Sequence, residues 1–270
     1  MRNAQKRRGR MRAASPQVRF LVAGAQKCGT TALHRFLSAH PGLFLPAGKE
    51  LHFFDRPLPD DWSGPEGPLY ETAFAEARPD QLCGEATPVY LFHTPSLQRI
   101  RAYNPAMRLI LLLRDPVLRA YSHWRMERTR GAETLPFPEA IRAGRARVAE
   151  DWRTFSYVER GFYGAQLTRL ERLFPREQRL VLWTDEMQRD HAGTLARIWR
   201  FLGCAAPSVP PPPAEIRPLD PAPGLAPLAE EDARYLRSLY APDIALTEAL
   251  TGRDLSLWRE GALSPPSSGR

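Results

Sequence analysis

Hydrophobic positions fall along the chain in two alternating patterns. Short continuous runs, Arg19 to Gly24, Leu82 to Glu85, Arg108 to Leu113 and Leu180 to Trp183, read as buried strands. Between them apolar residues recur at helical spacing, as Ala32, Leu33, Phe36 and Leu37 do before His40-Pro41-Gly42 ends the pattern. The same spacing predicts helices over Ser96 to Tyr103, Val117 to Arg130, Pro138 to Arg153, Tyr163 to Phe174, Gly193 to Leu202 and Glu230 to Leu250. Pro116 is suited to the first turn of the helix it precedes. Strands alternating with helices predict an α/β fold: a single P-loop-like domain over residues 19–260, its central parallel sheet flanked by helices on both faces.

The flanks are different. Residues 1–18 read as a disordered basic tail and 261–270 as a flexible C-terminus. Nine prolines within 207–227 exclude a helix or a central strand and predict a loop of polyproline character, either a lid or a spacer.

Composition narrows the function. A chain of 270 residues, 43% of them hydrophobic, can build one substantial core. No apolar stretch approaches the ~18 residues of a membrane span, and the start lacks a signal's apolar segment, so a soluble, cytoplasmic protein is expected. Cys28, Cys83 and Cys204 give neither a disulfide framework nor a paired metal motif, which fits a reducing compartment and no metal. The net charge is +8, and seven basic residues with no acid lie in residues 1–19. That leaves 31 basic against 30 acidic residues in the body, which gives no reason to expect a nucleic-acid partner or a polyanionic glycan. Oligomeric state is open.

Of 38 basic residues only Lys6, Lys27 and Lys49 are lysines. In an Arg-biased chain a surviving lysine suggests a place for a compact ammonium instead of a planar fork. Lys27 lies in Ala25-Gln26-Lys27-Cys28-Gly29-Thr30-Thr31, between a strand and a helix. Such a loop forms an anion cradle from backbone N–H groups and the helix dipole, to which Lys27 adds charge and Thr30 and Thr31 hydroxyls. Lys27 precedes Gly29, so this is not a Walker A sequence, and there is no GxGxxG. Arg114, at a strand's C-terminal end, and Ser122, about two turns into the next helix, suit a phosphate monoester.

The segments GAQKCGTTALHRFLSAHPGLFLPAGKELHFFD (24–55), GEATPVYLF (84–92), RLILLLRDPVLRAYSHW (108–124) and RGFYGAQLTRLERLFPREQRLVLWTDEM (160–187) stand in order, with GRDLSLW near the end. Together they resemble sulfotransferases that use 3′-phosphoadenosine 5′-phosphosulfate (PAPS), above all the branch holding the heparan sulfate N- and 3-O-sulfotransferases and their bacterial relatives. The resemblance implies that PAPS is the co-substrate and that no metal is needed. It places Gln26, Lys27, Cys28, Gly29, Thr30 and Thr31 around the 5′-phosphosulfate and Arg114 and Ser122 at the 3′-phosphate, with Tyr163 also on the nucleotide side. Lys27 stabilises charge on the leaving oxygen. Glu50, in KELHFFD, matches the base that takes the acceptor's proton; His52 and Asp55 match its neighbours.

Read without the resemblance, Glu50 is a surface carboxylate paired with Lys49, and His52 a structural histidine or a proton carrier. His123 points about 100° away from Ser122 on a helix, which favours packing. Phe53, Phe54 and Trp124 read as core. The chain departs from the resembled branch at Ala86, where that branch has a lysine, and this puts a heparan-like acceptor in doubt. The expected activity is sulfuryl transfer to a hydroxyl, less readily an amine, of a small molecule, lipid or saccharide. Two alternatives are a kinase-type P-loop phosphotransferase, for which Asp115 is the metal-binding candidate, and an inactive nucleotide- or glycan-binding module.

Overall fold

The structure, a computed structural model, describes residues 17–58, 70–143, 145–208, 212 and 225–261. Nearly all of the expected basic tail, most of the proline-rich segment 207–227 and residues 262–270 lie outside them. Strands β1 (Phe20–Gly24), β2 (Leu43–Phe44), β3 (Leu82–Ala86), β4 (Arg108–Leu113) and β5 (Arg179–Trp183) form one parallel sheet in the order β2-β3-β1-β4-β5. Every residue of β1 is buried. Side chains alternate between faces along a strand, so both faces of the sheet centre are covered by helices, as expected. Neighbours at the centre pack closely: a Cβ added at Gly84 would lie 2.3 Å from the Phe20 ring, so only glycine fits beneath that phenyl without displacement.

The helices are α1 (Thr30–Ser38), α2 (Thr94–Tyr103), α3 (Pro116–Thr129), α4 (Phe137–Arg142), α5 (Arg145–Glu150), α6 (Trp152–Phe155), α7 (Tyr163–Glu171), α8 (Thr184–Arg189), α9 (His191–Leu202), α10 (Glu230–Thr251) and α11 (Ser256–Glu260). Pro116 opens α3, where the Asp115 carboxylate accepts the Val117 and Leu118 N–H groups at 2.8 and 3.3 Å. That capping role occupies the carboxylate which the kinase alternative needs for a metal. The long helix expected over 138–153 is instead three short ones. Asp151 leaves the helical region at φ −148 and accepts the N–H groups of Arg153 and Thr154, so its carboxylate starts α6 afresh. This restart turns Arg153 toward Asp55. Across the domain, Asp243 of α10 receives the Gly164 and Ala165 N–H groups at 2.8 and 3.0 Å, capping α7 from another helix.

Candidate active site

From β1 the chain passes to β2 and β3 on one side of the sheet; from β4 it passes to β5 on the other. The C-terminal ends of adjacent β1 and β4 therefore mark the switch point at which open α/β sheets bind ligands. The loop after β1 is held there by several bonds. Ala25 N donates to the Leu112 carbonyl at 2.9 Å, and the Thr184 hydroxyl reaches the carbonyls of Cys28 at 2.7 Å and Leu113 at 3.0 Å. The Arg160 guanidinium donates to Gln26 Oε1. Gly29 takes a left-handed conformation (φ 94) at the start of α1, which no side chain caps. The N–H groups of the first turn are thus left for a ligand, and the helix dipole favours an anion.

These elements open onto one cleft of about 1070 Å³, lined by Gln26, Lys27, Gly29, Thr30 and Thr31 together with Glu50, His52, Arg114 and Ser122. Two residues expected at the nucleotide do not have side chains on this lining. The Cys28 and Tyr163 side chains are buried at 0% and 1% exposure and meet each other, Sγ to hydroxyl, at 3.6 Å. A thiol and a phenol pack against each other there, off the lining of the cleft. Phe53, Phe54, Trp124 and His123 are buried as expected.

The cleft separates charge that the sequence total hides. Lys27, Lys49 and six arginines line it, against the carboxylates Glu50 and Glu127. Among the described residues Lys27 Nζ has one hydrogen-bond acceptor, the Met126 thioether at 3.4 Å, and no carboxylate. Burial, with Arg130 and Arg119 nearby, pushes its ammonium below the ordinary lysine pKa. Arg114 and Ser122 line the cleft, and among the described residues their side chains have no hydrogen-bond or ion-pair partner.

On the other wall, side chains of alternating charge form a chain. Lys49 bonds to Glu50 Oε1; His52 Nε2 lies 3.5 Å from Glu50 Oε2; His52 Nδ1 lies 2.9 Å from Asp55 Oδ2; and Arg153 donates to the same Asp55 oxygen at 2.6 Å. Burial works to raise the Glu50 pKa, but the His52 and Lys49 contacts outweigh it and bring it down to about 2. Hydrogen bonds to Asp55 and then Glu50 raise His52 to about 9. At neutral pH, then, Glu50 is ionised and His52 is an imidazolium. A raised histidine pKa stabilises the fold fully below its ordinary value of 6.5, and that contribution disappears as pH climbs through about 9. Urea unfolding midpoints should therefore decline between pH 6.5 and 9, and His52→Ala should flatten that slope; an unchanged slope would show that the chain of charges is not formed in solution.

This wall rests on a buried carboxylate whose role does not show in the sequence. Glu85, 2% exposed, accepts the hydroxyls of Tyr70 (2.8 Å), Tyr90 (2.9 Å) and Thr87 (2.7 Å). Tyr90 in turn receives the Phe53 N–H at 3.0 Å, and Glu50 N donates to the Ala86 carbonyl at 3.1 Å, so β3 holds the 50–54 loop at the cleft. Among the described residues the non-glycine positions with positive φ are Lys27, Glu50 and His52, at 70, 67 and 53. Each occupies a sparsely populated region at a cost of about 1 kcal/mol or more, a form of strain that gathers at functional sites. Arg153 and Arg160 also line the cleft and were not singled out in the sequence, where two arginines among 35 carry no distinguishing signal.

An α/β domain with a strongly basic, anion-ready cleft at its switch point is the class of protein that fold and site define. Residues 17–215 match the sulfotransferase domain family, and the chain belongs to it. Human heparan sulfate glucosamine 3-O-sulfotransferase 6 is 32% identical over 184 residues, which cover 68% of this chain and 51% of that protein. Human bifunctional heparan sulfate N-deacetylase/N-sulfotransferase 2 is 28% identical over 197 residues, 68% of this chain and 22% of that protein. The chain thus spans about half, or less, of these relatives' length. The crystal structure of a sulfotransferase from Alicyclobacillus acidocaldarius superposes with a TM-score of 0.77 at 32% identity, covering 90% of this chain and 99% of that one. Among the described residues no helix is long and apolar enough to cross a membrane.

Proposed function

We propose that this chain transfers a sulfuryl group from PAPS to an acceptor hydroxyl, less readily an amine, with Glu50 as base. The observation that carries the reading is that Lys27, Arg114, Ser122 and Glu50 line one cleft. Among the described residues the ammonium has no carboxylate partner and the guanidinium is unpaired; the first, beside first-turn N–H groups, suits the phosphosulfate, and the second, with a hydroxyl, suits the 3′-phosphate. As the acceptor oxygen bonds to sulfur, the sulfur–oxygen bond to the nucleotide breaks and its electron pair goes to the bridging oxygen. Lys27 stabilises the charge that develops there. A carboxylate with a pKa of about 2 is a weak base at rest, so the proton passes to Glu50 only as O–S bond formation makes it acidic.

The cleft also bears on the acceptor. Lys27, Lys49 and six arginines less two carboxylates leave +6; His52 adds one charge and Asp55, bonded to His52 and Arg153, removes one. A phosphomonoester brings about −2, and the phosphosulfate about as much again, so positive charge remains beside Glu50. This favours an acceptor that itself carries anionic groups, and it revises the expectation drawn from a near-neutral body. A saccharide with acidic substituents, the class named for the human relatives, fits that surplus.

The test is to incubate the chain with labelled PAPS and neutral and anionic acceptors, following the desulfated nucleotide, with and without chelator. Turnover that persists in chelator is expected. Arg114→Ala should weaken binding of the desulfated nucleotide about 10- to 100-fold, the ~1.5–3 kcal/mol of a charged hydrogen-bonded contact. It should spare binding of the analogue lacking the 3′-phosphate. Equal losses for both nucleotides would remove Arg114 from the 3′-phosphate.

A further inference from the structure

Lys27 is held by a sulfur atom, and that sulfur is open to chemistry. Met126 lies one turn beyond Ser122 on α3, on the same cleft-facing stripe, with Sδ 3.4 Å from Lys27 Nζ. Of the other methionines among the described residues, Met107 and Met187 are buried in the core at 0% and 1% exposure. Of the thiols, Cys28 and Cys83 are buried, and Cys204, partly exposed, lines a different pocket. A thioether is a weak, uncharged acceptor, so it steadies the ammonium without competing against an incoming anion.

We propose that Met126 is a site of reversible oxidation by peroxides and that its sulfoxide disables the donor side of the cleft by capturing Lys27. In the step, the sulfur lone pair attacks one peroxide oxygen and the O–O bond breaks. That oxygen becomes the sulfoxide, and the other leaves with the remaining protons as water, or as an alcohol from an alkyl peroxide. The thioether is oxidised by two electrons and the peroxide reduced by two. The new oxygen is a strong acceptor with the negative end of its dipole toward the ammonium. It holds Lys27 and occupies space otherwise open to the nucleotide's sulfate end. Because Met126 faces the cleft, a sulfoxide reductase can reach it and bound nucleotide shields it.

The inference rests on the reading of Lys27 as the donor-side cation, and the experiment separates the two. The full chain is treated with hydrogen peroxide, with and without the desulfated nucleotide. Sulfoxide is quantified at Met107, Met126 and Met187 by peptide mass spectrometry, and nucleotide affinity is measured by calorimetry. Met126 should oxidise about tenfold faster than the two buried methionines, nucleotide should slow it, and affinity should fall about tenfold and recover with methionine sulfoxide reductases of both epimer specificities. Met126→Leu, compared with its own untreated sample, should lose no affinity on treatment. Equal oxidation of the three methionines, unchanged affinity at full Met126 oxidation, or an equal loss in Met126→Leu would each overturn the proposal. An untreated chain that binds no nucleotide would bring down the reading of Lys27 and this proposal with it.

Discussion

Replacing Lys27 by Ala is expected to lower kcat by about 10²–10³-fold, the scale of losing one preorganised group at a developing oxyanion. The fold should survive the change. Its side chain gives up only a thioether contact, and both residues meet the same difficulty at φ 70. Thermal unfolding of the variant should accordingly match the parent while turnover collapses. Lys27→Arg sharpens the test, because this chain uses arginine almost everywhere a cation suffices. A guanidinium cannot sit as a point charge in the space of an ammonium, so the arginine variant should recover little. A rate retained in either variant would show that the leaving oxygen is stabilised by another group.

Why Lys27 was legible in the sequence, and Arg153 was not, follows from the same bias. A lysine among 35 arginines stands out, whereas one more arginine does not. The strand-loop-helix around Lys27 is local and shows in periodicity alone, as do β1, β4 and the position of Arg114 at the end of β4. The two residues of β2 are too few for any pattern. The break before α6 depends on Asp151 competing for N–H groups that a continuous helix would leave to carbonyls, and a local cap overrode the apolar spacing there. The basic cleft was hidden because summing charge along a chain cancels what folding segregates. Glu85 is the clearest case of a role that only three dimensions assign: its hydroxyl partners lie 2, 5 and 15 residues away, at spacings that no periodic pattern marks.

The positive φ values follow a similar logic. Lys and Glu have no preference for the left-handed region and His only an enrichment over a rare background, so their identities did not announce it. Lys27 is placed there by a loop fastened to β4 and to Thr184, Glu50 and His52 by a loop fastened to β3. Both fastenings draw on the sheet, whose packing supplies far more free energy than the ~1–3 kcal/mol that each strained residue costs. The two walls of the cleft are thereby held at fixed positions before any ligand arrives, the condition under which charged groups act on a transition state without reorganising.

Replacing Glu50 by Gln should lower kcat by about 10²–10⁴-fold, the usual scale for general base catalysis, with little effect on affinity for the desulfated nucleotide. The amide is nearly the same size and can still accept from Lys49, so the loop should keep its course, but it cannot take a proton. The substitution also removes the negative charge that helps hold His52 up at about 9, so the His52 pKa should fall toward that of an ordinary histidine, as NMR titration of the imidazole would record. The combination separates two accounts of Glu50. If the carboxylate only pairs with Lys49 and His52, the variant loses stability and shifts the His52 titration while kcat stays near the parent's. If it is the base, kcat falls steeply even where the protein is fully folded, and the loss grows with the pKa of the acceptor, since a poorly acidic hydroxyl needs proton removal most.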